Sequence, residues 1–405
     1  MIFFRTTTAY LFILLLISCG VQKNETAFTV DKTTWVDSLP GQCPYLAKDT
    51  KGNTVLSWVR VINDSSAVFC YAVSTNGGLS FGSPITIPGS SNIEPHSENL
   101  PKIIFKPSGE IIALWGAGNP NPKNKYAGLV SYAQSFDEGN SWTAPQTLVK
   151  DTAGYDQRYY DVNLLPNGEV GIIWLDNRKT TTSEGSALYF ASTEGRDGFK
   201  NERMIGQPCC QCCRTRLFID SKNNIHVLYR GILKDSVRDL VHAVSLDNGQ
   251  SFSSPKLVSN DNWVIRGCPH TGPAMTENKE GLHFTWFTGA SDKGCFYTNS
   301  TDNGMNFNSR QSISRSGSHP QIASLPGEKL VIVWDEPVKM HDKFYRRIGI
   351  WQKNANGSDE KGFITADTSM CSYPVVYNTE GNMAVVAYTQ IKGEKNYIGY
   401  QLLRR

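Results

Sequence analysis

Ser135-Phe136-Asp137-Glu138-Gly139-Asn140-Ser141-Trp142 follows Leu129-Val-Ser-Tyr-Ala133, an apolar alternation with the period of a half-buried strand. A short Asp side chain accepts hydrogen bonds from backbone N–H groups inside a turn, and Gly supplies the positive φ such a turn needs. The aromatic residue can then tuck beneath the sheet, so the octet reads as a hairpin turn with its own anchor. It recurs as Ser245-Leu-Asp247-Asn-Gly249-Gln-Ser-Phe252 and Ser300-Thr-Asp302-Asn-Gly304-Met-Asn-Phe307. Ser74-Thr-Asn76-Gly-Gly78-Leu-Ser-Phe81 substitutes Asn for Asp, and Ser192 to Phe199 is a decayed copy. The interval is roughly 50 residues, the mark of a repeat architecture.

A second repeat sets the count. Pro44, Pro101, Tyr160, Thr215, Pro273, Pro320 and Pro374 each anchor a short apolar strand, a turn and a longer apolar strand. The longer strands include Ile111-Ile-Ala-Leu-Trp115, Val170-Gly-Ile-Ile-Trp174 and Val331-Ile-Val-Trp334. With 35 Gly, 19 Pro and 44 aromatic residues in 405, and no long amphipathic helical window, the chain reads as all-β. The turns resemble the Asp boxes of the sialidase-like β-propellers. The resemblance implies four-stranded antiparallel blades around a central channel, with the boxes structural rather than catalytic. Seven anchors predict seven blades; six, the number in sialidases of this pattern, is the alternative. The last unit offers three strands before Arg405, and residues 28–35 are expected to supply the fourth and close the ring.

The N-terminus has one basic residue, Arg5, then an apolar run from Leu11 to Ile17, then Ser18-Cys19. The run is short for a bilayer span and has the length of a signal peptide. Leu16-Ile17-Ser18-Cys19 resembles a bacterial lipobox, which implies lipidation at Cys19. The expected organisation is a lipoprotein signal peptide over 1–18, lipidated Cys and tether over 19–26, and one propeller domain over 27–405. The expected address is the cell envelope, as a monomer held to the membrane through the N-terminal lipid only.

Forty Lys and Arg against thirty-seven Asp and Glu leave a net charge of +3 with no long basic run, which argues against nucleic acid as a partner. Outside the cytoplasm, disulfides are permitted. Ten cysteines less Cys19 leave nine, an odd number, so at least one thiol is unpaired within the chain, metal-bound or joined to another chain. Cys70 and Cys295 fall on third strands and read as buried apolar residues.

In a propeller the first strands line the channel. Positions five, three and one before each anchor collect His96, Glu98, Tyr159, Cys210, Cys212, Arg214, Cys268, His270, His319 and Tyr373 toward one mouth. The densest stretches are Cys209-Cys210-Gln211-Cys212-Cys213-Arg214 and Arg266-Gly267-Cys268-Pro269-His270. Together with Trp286-Phe-Thr-Gly289 they resemble bacterial propeller proteins described as exo-α-sialidases or neuraminidase-repeat glycosyl hydrolases.

That resemblance implies an extracytoplasmic protein acting on carbohydrate, as a glycoside hydrolase on an acidic sugar and with no cofactor required. Arg158, Arg214 and Arg266 begin consecutive blades and would grip a carboxylate bidentately. Tyr159 or Tyr373 would be the nucleophile with Glu98 as partner, and His96 or His270 would transfer protons. The early Phe/Tyr-Arg-Ile-Pro motif of sialidases is absent, and Arg60 is the only arginine near its place. A uronate polysaccharide lyase and a non-catalytic glycan-, protein- or metal-binding propeller therefore stand as alternatives. For the cysteines the preferred reading is a disulfide, Cys210 or Cys212 to Cys268. A thiophilic metal, zinc or copper, on Cys210, Cys212, Cys268 and His270 is the alternative.

Overall fold

The computed structural model describes residues 29–404 except 123, 179–183, 235 and 355–356. The signal-peptide and tether segments and Cys19 lie outside the described residues. Seven antiparallel sheets follow one another along the chain, the first six each built from sequence-adjacent strands. Blade 1 is Gly41–Lys48, Thr54–Asn63, Ser66–Ser74 and Ile85–Thr86. Blade 3 is Gln157–Leu164, Val170–Asp176, Ser186–Thr193 and Phe199–Cys209. Blade 4 is Arg216–Ile219, Ile225–Arg230, Leu240–Ser245 and Lys256–Leu257. Blades 2, 5 and 6 begin at Lys102–Phe105, Ala274–Asn278 and Ser318–Leu325.

Blade 7 holds Cys371–Asn378, Ala384–Lys392 and Lys395–Arg404, and its outer edge is covered by the chain's other end. Thr29 and Val30 pair with Arg404 and Leu403, then Thr34 and Trp35 pair with Tyr400 and Gly399. The ring is therefore seven-bladed and closed as the sequence repeat predicts, and the last strand is not left as an open edge.

Packing between blades is apolar and dense. Trp58, Trp115, Trp174 and Trp286, which end the apolar runs of four second strands, are fully buried. They belong to the core. Cys70 and Cys295 are buried on third strands, as expected.

The four well-formed turn repeats share one set of bonds. In each, the Asp or Asn at the third position (Asn76, Asp137, Asp247, Asp302) accepts from the backbone four residues on. The leading Ser accepts from the Gly N–H four residues on, at 2.8–2.9 Å. Gly304 (φ +79°) also faces the neighbouring blade so closely that a Cβ there would lie 2.2 Å from the His242 ring.

The first strands are not simple pleated strands. In blades 1, 3, 6 and 7 two residues oppose one aromatic on the second strand: Cys43-Pro44 against Trp58, Tyr159-Tyr160 against Trp174, His319-Pro320 against Trp334, and Tyr373-Pro374 against Tyr388. The leading bulge residue is left-handed each time, with φ of 62° at Cys43, 57° at Tyr159, 52° at His319 and 51° at Tyr373. Non-glycine residues rarely hold this conformation. Here one β-bulge recurs at the same place in the ring, bending the strand and re-aiming its side chains at the axis.

Candidate metal centre

The residues that enter the first strands share one rim of the ring. Four blades enter through the bulge just described; blades 2, 4 and 5 enter through the loops over 94–101, 209–215 and 266–273. The loop into blade 4 is pinned to the end of that blade's own second strand, because Cys210 N–H donates to the Arg230 carbonyl at 2.8 Å. The tight turn Cys210-Gln-Cys212-Cys213 then folds three sulfurs together. Cys210 Sγ lies 3.7 Å from Cys212 Sγ and 3.8 Å from Cys213 Sγ, and all three residues are buried.

Those separations decide between two chemistries. A disulfide needs an S–S length near 2.05 Å. Two thiolates sharing one ion at bonds of about 2.3 Å sit about 3.8–4.0 Å apart. No cysteine among the described residues is disulfide-bonded; Cys43, Cys70, Cys209, Cys210, Cys212, Cys213, Cys268, Cys295 and Cys371 are all free thiols. The expected bridge from Cys210 or Cys212 to Cys268 is thus not formed.

Cys212 instead reaches the loop into blade 5. Ligand atoms of Cys212, Cys268 and His270 all lie within 4.8 Å of one another, as do those of Cys210, Cys212 and Cys213. Of the four residues read as a metal set, Cys212, Cys268 and His270 converge directly, and Cys210 joins through Cys212. Cys213 was not among them and belongs to the inner group. It is adjacent to Cys212 in sequence, and because the segment is a turn and not a strand, the alternation of side chains does not turn it away.

His270 is held at φ 47°, and its buried Nδ1 has no hydrogen-bond partner. An orphaned imidazole nitrogen beside two thiols is an unusual expense in a folded protein, and a bound cation removes it. His96 lies against His270, ring centroids 5.4 Å apart, and against Tyr159, also at 5.4 Å. Its Nδ1 accepts the Glu98 N–H at 3.1 Å, so the proton of the neutral ring sits on Nε2. Burial, with His270 and Arg158 adding to it, lowers the His96 pKa to about 4. At neutral pH His96 is therefore an uncharged donor on the wall of the site.

Among the thiols the environment sorts reactive from inert. Close contacts with Cys212 and Cys213 lower the Cys210 pKa, while the contact with Cys210 raises Cys212 and burial raises Cys213. Burial pushes Cys43 and Cys371 up to about 12, and those thiols are inert at neutral pH.

The residues of the glycosidase reading are placed differently from one another. Arg214 donates to Glu98 at 2.9 Å and to the Gly272 carbonyl at 3.3 Å, with both charges buried. Arg158 is paired with Asp156 at 2.6 Å and lies over the Tyr159 ring. Arg266 is exposed and makes no ion pair among the described residues. Two of the three are thus held by carboxylates of the protein itself. Tyr159 is buried, which raises its phenol pKa, and Thr215 donates to its carbonyl at 2.9 Å. Across the ring Tyr373 stacks on His319 at 4.0 Å. Asp335, absent from the sequence reading, binds His319 Nδ1 and Tyr373 N–H, each at 2.8 Å, as well as Arg346.

No family model and no curated protein matches the chain. Solved structures do. A protein of unknown function from Dyadobacter fermentans DSM 18053 superposes with a TM-score of 0.54 at 14% identity, over 94% of this chain and all of that one. The NanB sialidase from Streptococcus pneumoniae gives 0.47 at 11% identity, over 94% of this chain and 71% of its own. Trypanosoma rangeli sialidase in complex with sialic acid gives 0.48 at 13% identity, over 85% of this chain and 58% of its own. The chain is a seven-bladed β-propeller in fold. Identities this low speak to architecture alone, and a propeller hosts many functions.

A cavity of about 880 Å³ is lined by the far ends of the first strands, including Tyr45, Lys102, Asp161, Arg216, Gln321 and Tyr377. Lys102 and Asp161 meet there at 2.7 Å, both buried. The cysteines and His270 do not line this cavity. We give the site to the thiol and imidazole cluster, because volume alone marks the hollow of any ring this wide, whereas convergent ligands and an orphaned nitrogen call for an occupant.

Proposed function

We propose that this propeller binds a thiophilic metal ion at its channel mouth, through Cys212, Cys268 and His270. The observation that carries the reading is the approach of these three ligand atoms to within 4.8 Å of one another from two separate loops. Two sulfurs and one imidazole suit a soft or borderline ion, copper or zinc, and disfavour magnesium or calcium. Three protein ligands with Cys268 exposed leave a coordination position facing the channel mouth. His96 and Tyr159 stand beside it as a neutral donor and a phenol, so an incoming ligand meets a shaped wall.

A sugar-cleaving role draws less support from the same mouth. It asks for free arginines, and Arg214 and Arg158 already carry carboxylates of their own. The lipobox-like Leu16-Ile17-Ser18-Cys19 supports a setting in the cell envelope, where a cell meets metal ions before its cytoplasm does.

The test is metal content. The soluble chain from residue 20, made in the periplasm, is reconstituted with copper or zinc under reductant, desalted and weighed by native mass spectrometry. At least one ion per chain is expected, with the outer position lost in Cys268→Ser/His270→Ala. A wild-type chain that retains neither metal overturns the reading. Turnover of sialosides or uronic-acid polysaccharides by the metal-free chain would return the case to carbohydrate chemistry.

A further inference from the structure

We propose that the mouth holds two monovalent copper ions bridged by the Cys212 thiolate, one between Cys212, Cys268 and His270 and the other between Cys210, Cys212 and Cys213. This rests on the metal-binding reading above and goes further in ion count, ion charge and the role of the inner sulfurs. Cys212 is the one residue common to both ligand groups. A thiolate has lone pairs enough to bridge two soft cations. Two of the three inner spacings, 3.7 and 3.8 Å, are those of sulfurs around a single ion, and the third lies within 4.8 Å.

The charge of the surroundings selects the ion. Arg230 is 2% exposed, at the end of the strand to which Cys210 is bonded. Its guanidinium lies over the Trp263 ring at 4.8 Å and donates only to carbonyl oxygens, those of Arg238 at 2.8 Å, Phe287 at 2.9 Å and Thr271 at 3.4 Å, while its buried Nε has no hydrogen-bond partner. Among the described residues no carboxylate pairs with it. Asp239, next to it across the sheet, gives its carboxylate to the N–H groups of Asn262 and Trp263. A buried cation without a counter-ion is costly.

A bound cluster with net negative charge supplies the missing counter-ion. The four thiols bind as thiolates, their protons leaving to solvent. Four thiolates with two monovalent ions carry a net charge of −2 and so place an anion near Arg230, whereas two divalent ions would leave the group neutral and Arg230 with no anion. Cysteine-rich sites select Cu(I) among biological monovalent ions, and Cu(I) accepts three-coordinate sulfur and nitrogen. The outer position is the entrance, since Cys268 is exposed; the cysteines of the inner one are buried.

The experiment is an anaerobic Cu(I) titration of the soluble chain against a chromophoric Cu(I) chelator, with stoichiometry read by native mass spectrometry. Two ions are expected in the wild type. Cys268→Ser, at an exposed position that leaves the fold alone, should keep one. Cys213→Ser should keep one and Cys212→Ser should keep neither at the wild-type affinity, with far-ultraviolet circular dichroism confirming that each variant is folded. Should a variant not fold, X-ray absorption of the copper-loaded wild type reads the same point, as a copper–copper vector. One ion in the wild type, unaffected by Cys213→Ser, overturns the two-ion cluster while leaving the metal-binding reading in place. Two zinc ions held in preference to Cu(I) overturn the charge assignment. No ion of either kind overturns both readings.

Discussion

Arg214 and Glu98 meet at 2.9 Å across 116 residues of chain, joining the entry loop of blade 2 to that of blade 4 beneath the channel mouth. Both side chains are buried, and Glu98 also accepts the Arg214 N–H at 3.2 Å. The pair ties the floor of the site together. Removing one partner of a buried pair strands the other charge and costs about 3–5 kcal/mol. Glu98→Gln should therefore lower unfolding stability by about that amount, and Glu98→Gln/Arg214→Met should recover part of it. Urea unfolding of both variants checks this; an unchanged midpoint in Glu98→Gln would show that the carboxylate is free for another role.

Cys268 is the one exposed thiol among the described residues, and the other eight cysteines are buried. Brief iodoacetamide treatment of the reduced, metal-free, folded chain should thus add a single carbamidomethyl group, mapped by peptide mass to Cys268. Prior loading with Cu(I) or Zn(II) should slow that addition by at least tenfold, because a coordinated thiolate is no longer a free nucleophile. Equal rates with and without metal would remove Cys268 from the ligand set.

Acid should weaken the fold in two separate windows. Burial lowers the pKa of His242 to about 3 and of His283 to about 4, against an ordinary value of 6.5. Their folded pKa values lie below the unfolded one, so the unfolded chain binds more protons between them. Stability is then full above about pH 6.5 and falls on acidification, by about 1.4 kcal/mol per pH unit for each fully differing histidine. The turn carboxylates Asp247 and Asp302, held at about 2 by hydrogen bonds from Ser251 and Asn306, lose their contribution only below about pH 4. Unfolding free energies measured from pH 7 to 4 should show the histidine slope, and His242→Asn should flatten it.

The turn repeats and their tryptophans were legible because each is local: a Ser, an Asp and a Gly at fixed offsets make the same bonds wherever they occur. The blade count and the closing strand followed from that period. The mouth was legible as an inventory but not as an arrangement. Tyr159, His319 and Tyr373 sit at left-handed bulge positions that no local residue preference announces, since Gly or Asn would be the usual signal. Arg214 reads as a substrate clamp in sequence, and only the buried approach of Glu98 shows it to be a structural tie. Asp335 carried no repeat signal, although it organises His319, Tyr373 and Arg346.

Gly304→Ala should destabilise blades 4 and 5 together. The added methyl meets the His242 ring at 2.2 Å and sits on a backbone at φ +79° that alanine disfavours. A loss of roughly 2–4 kcal/mol is expected from the two effects combined. Thermal unfolding compares it with Gly168→Ala (φ +82°), where no atom lies within 4 Å and backbone strain alone remains.

The strand pairing that closes blade 7 also sets how the ring answers to force. Tension on the chain ahead of Thr29 reaches the propeller at the seam between Thr29–Val30, Thr34–Trp35 and Lys395–Arg404, backed by the ion pair of Arg404 with Asp31. That seam is the mechanical fuse of the molecule: a pull there is borne by a few backbone bonds at the rim, and blades 4 and 5, whose entry loops carry Cys210, Cys212, Cys213 and Cys268, lie on the opposite arc, sheltered from the load.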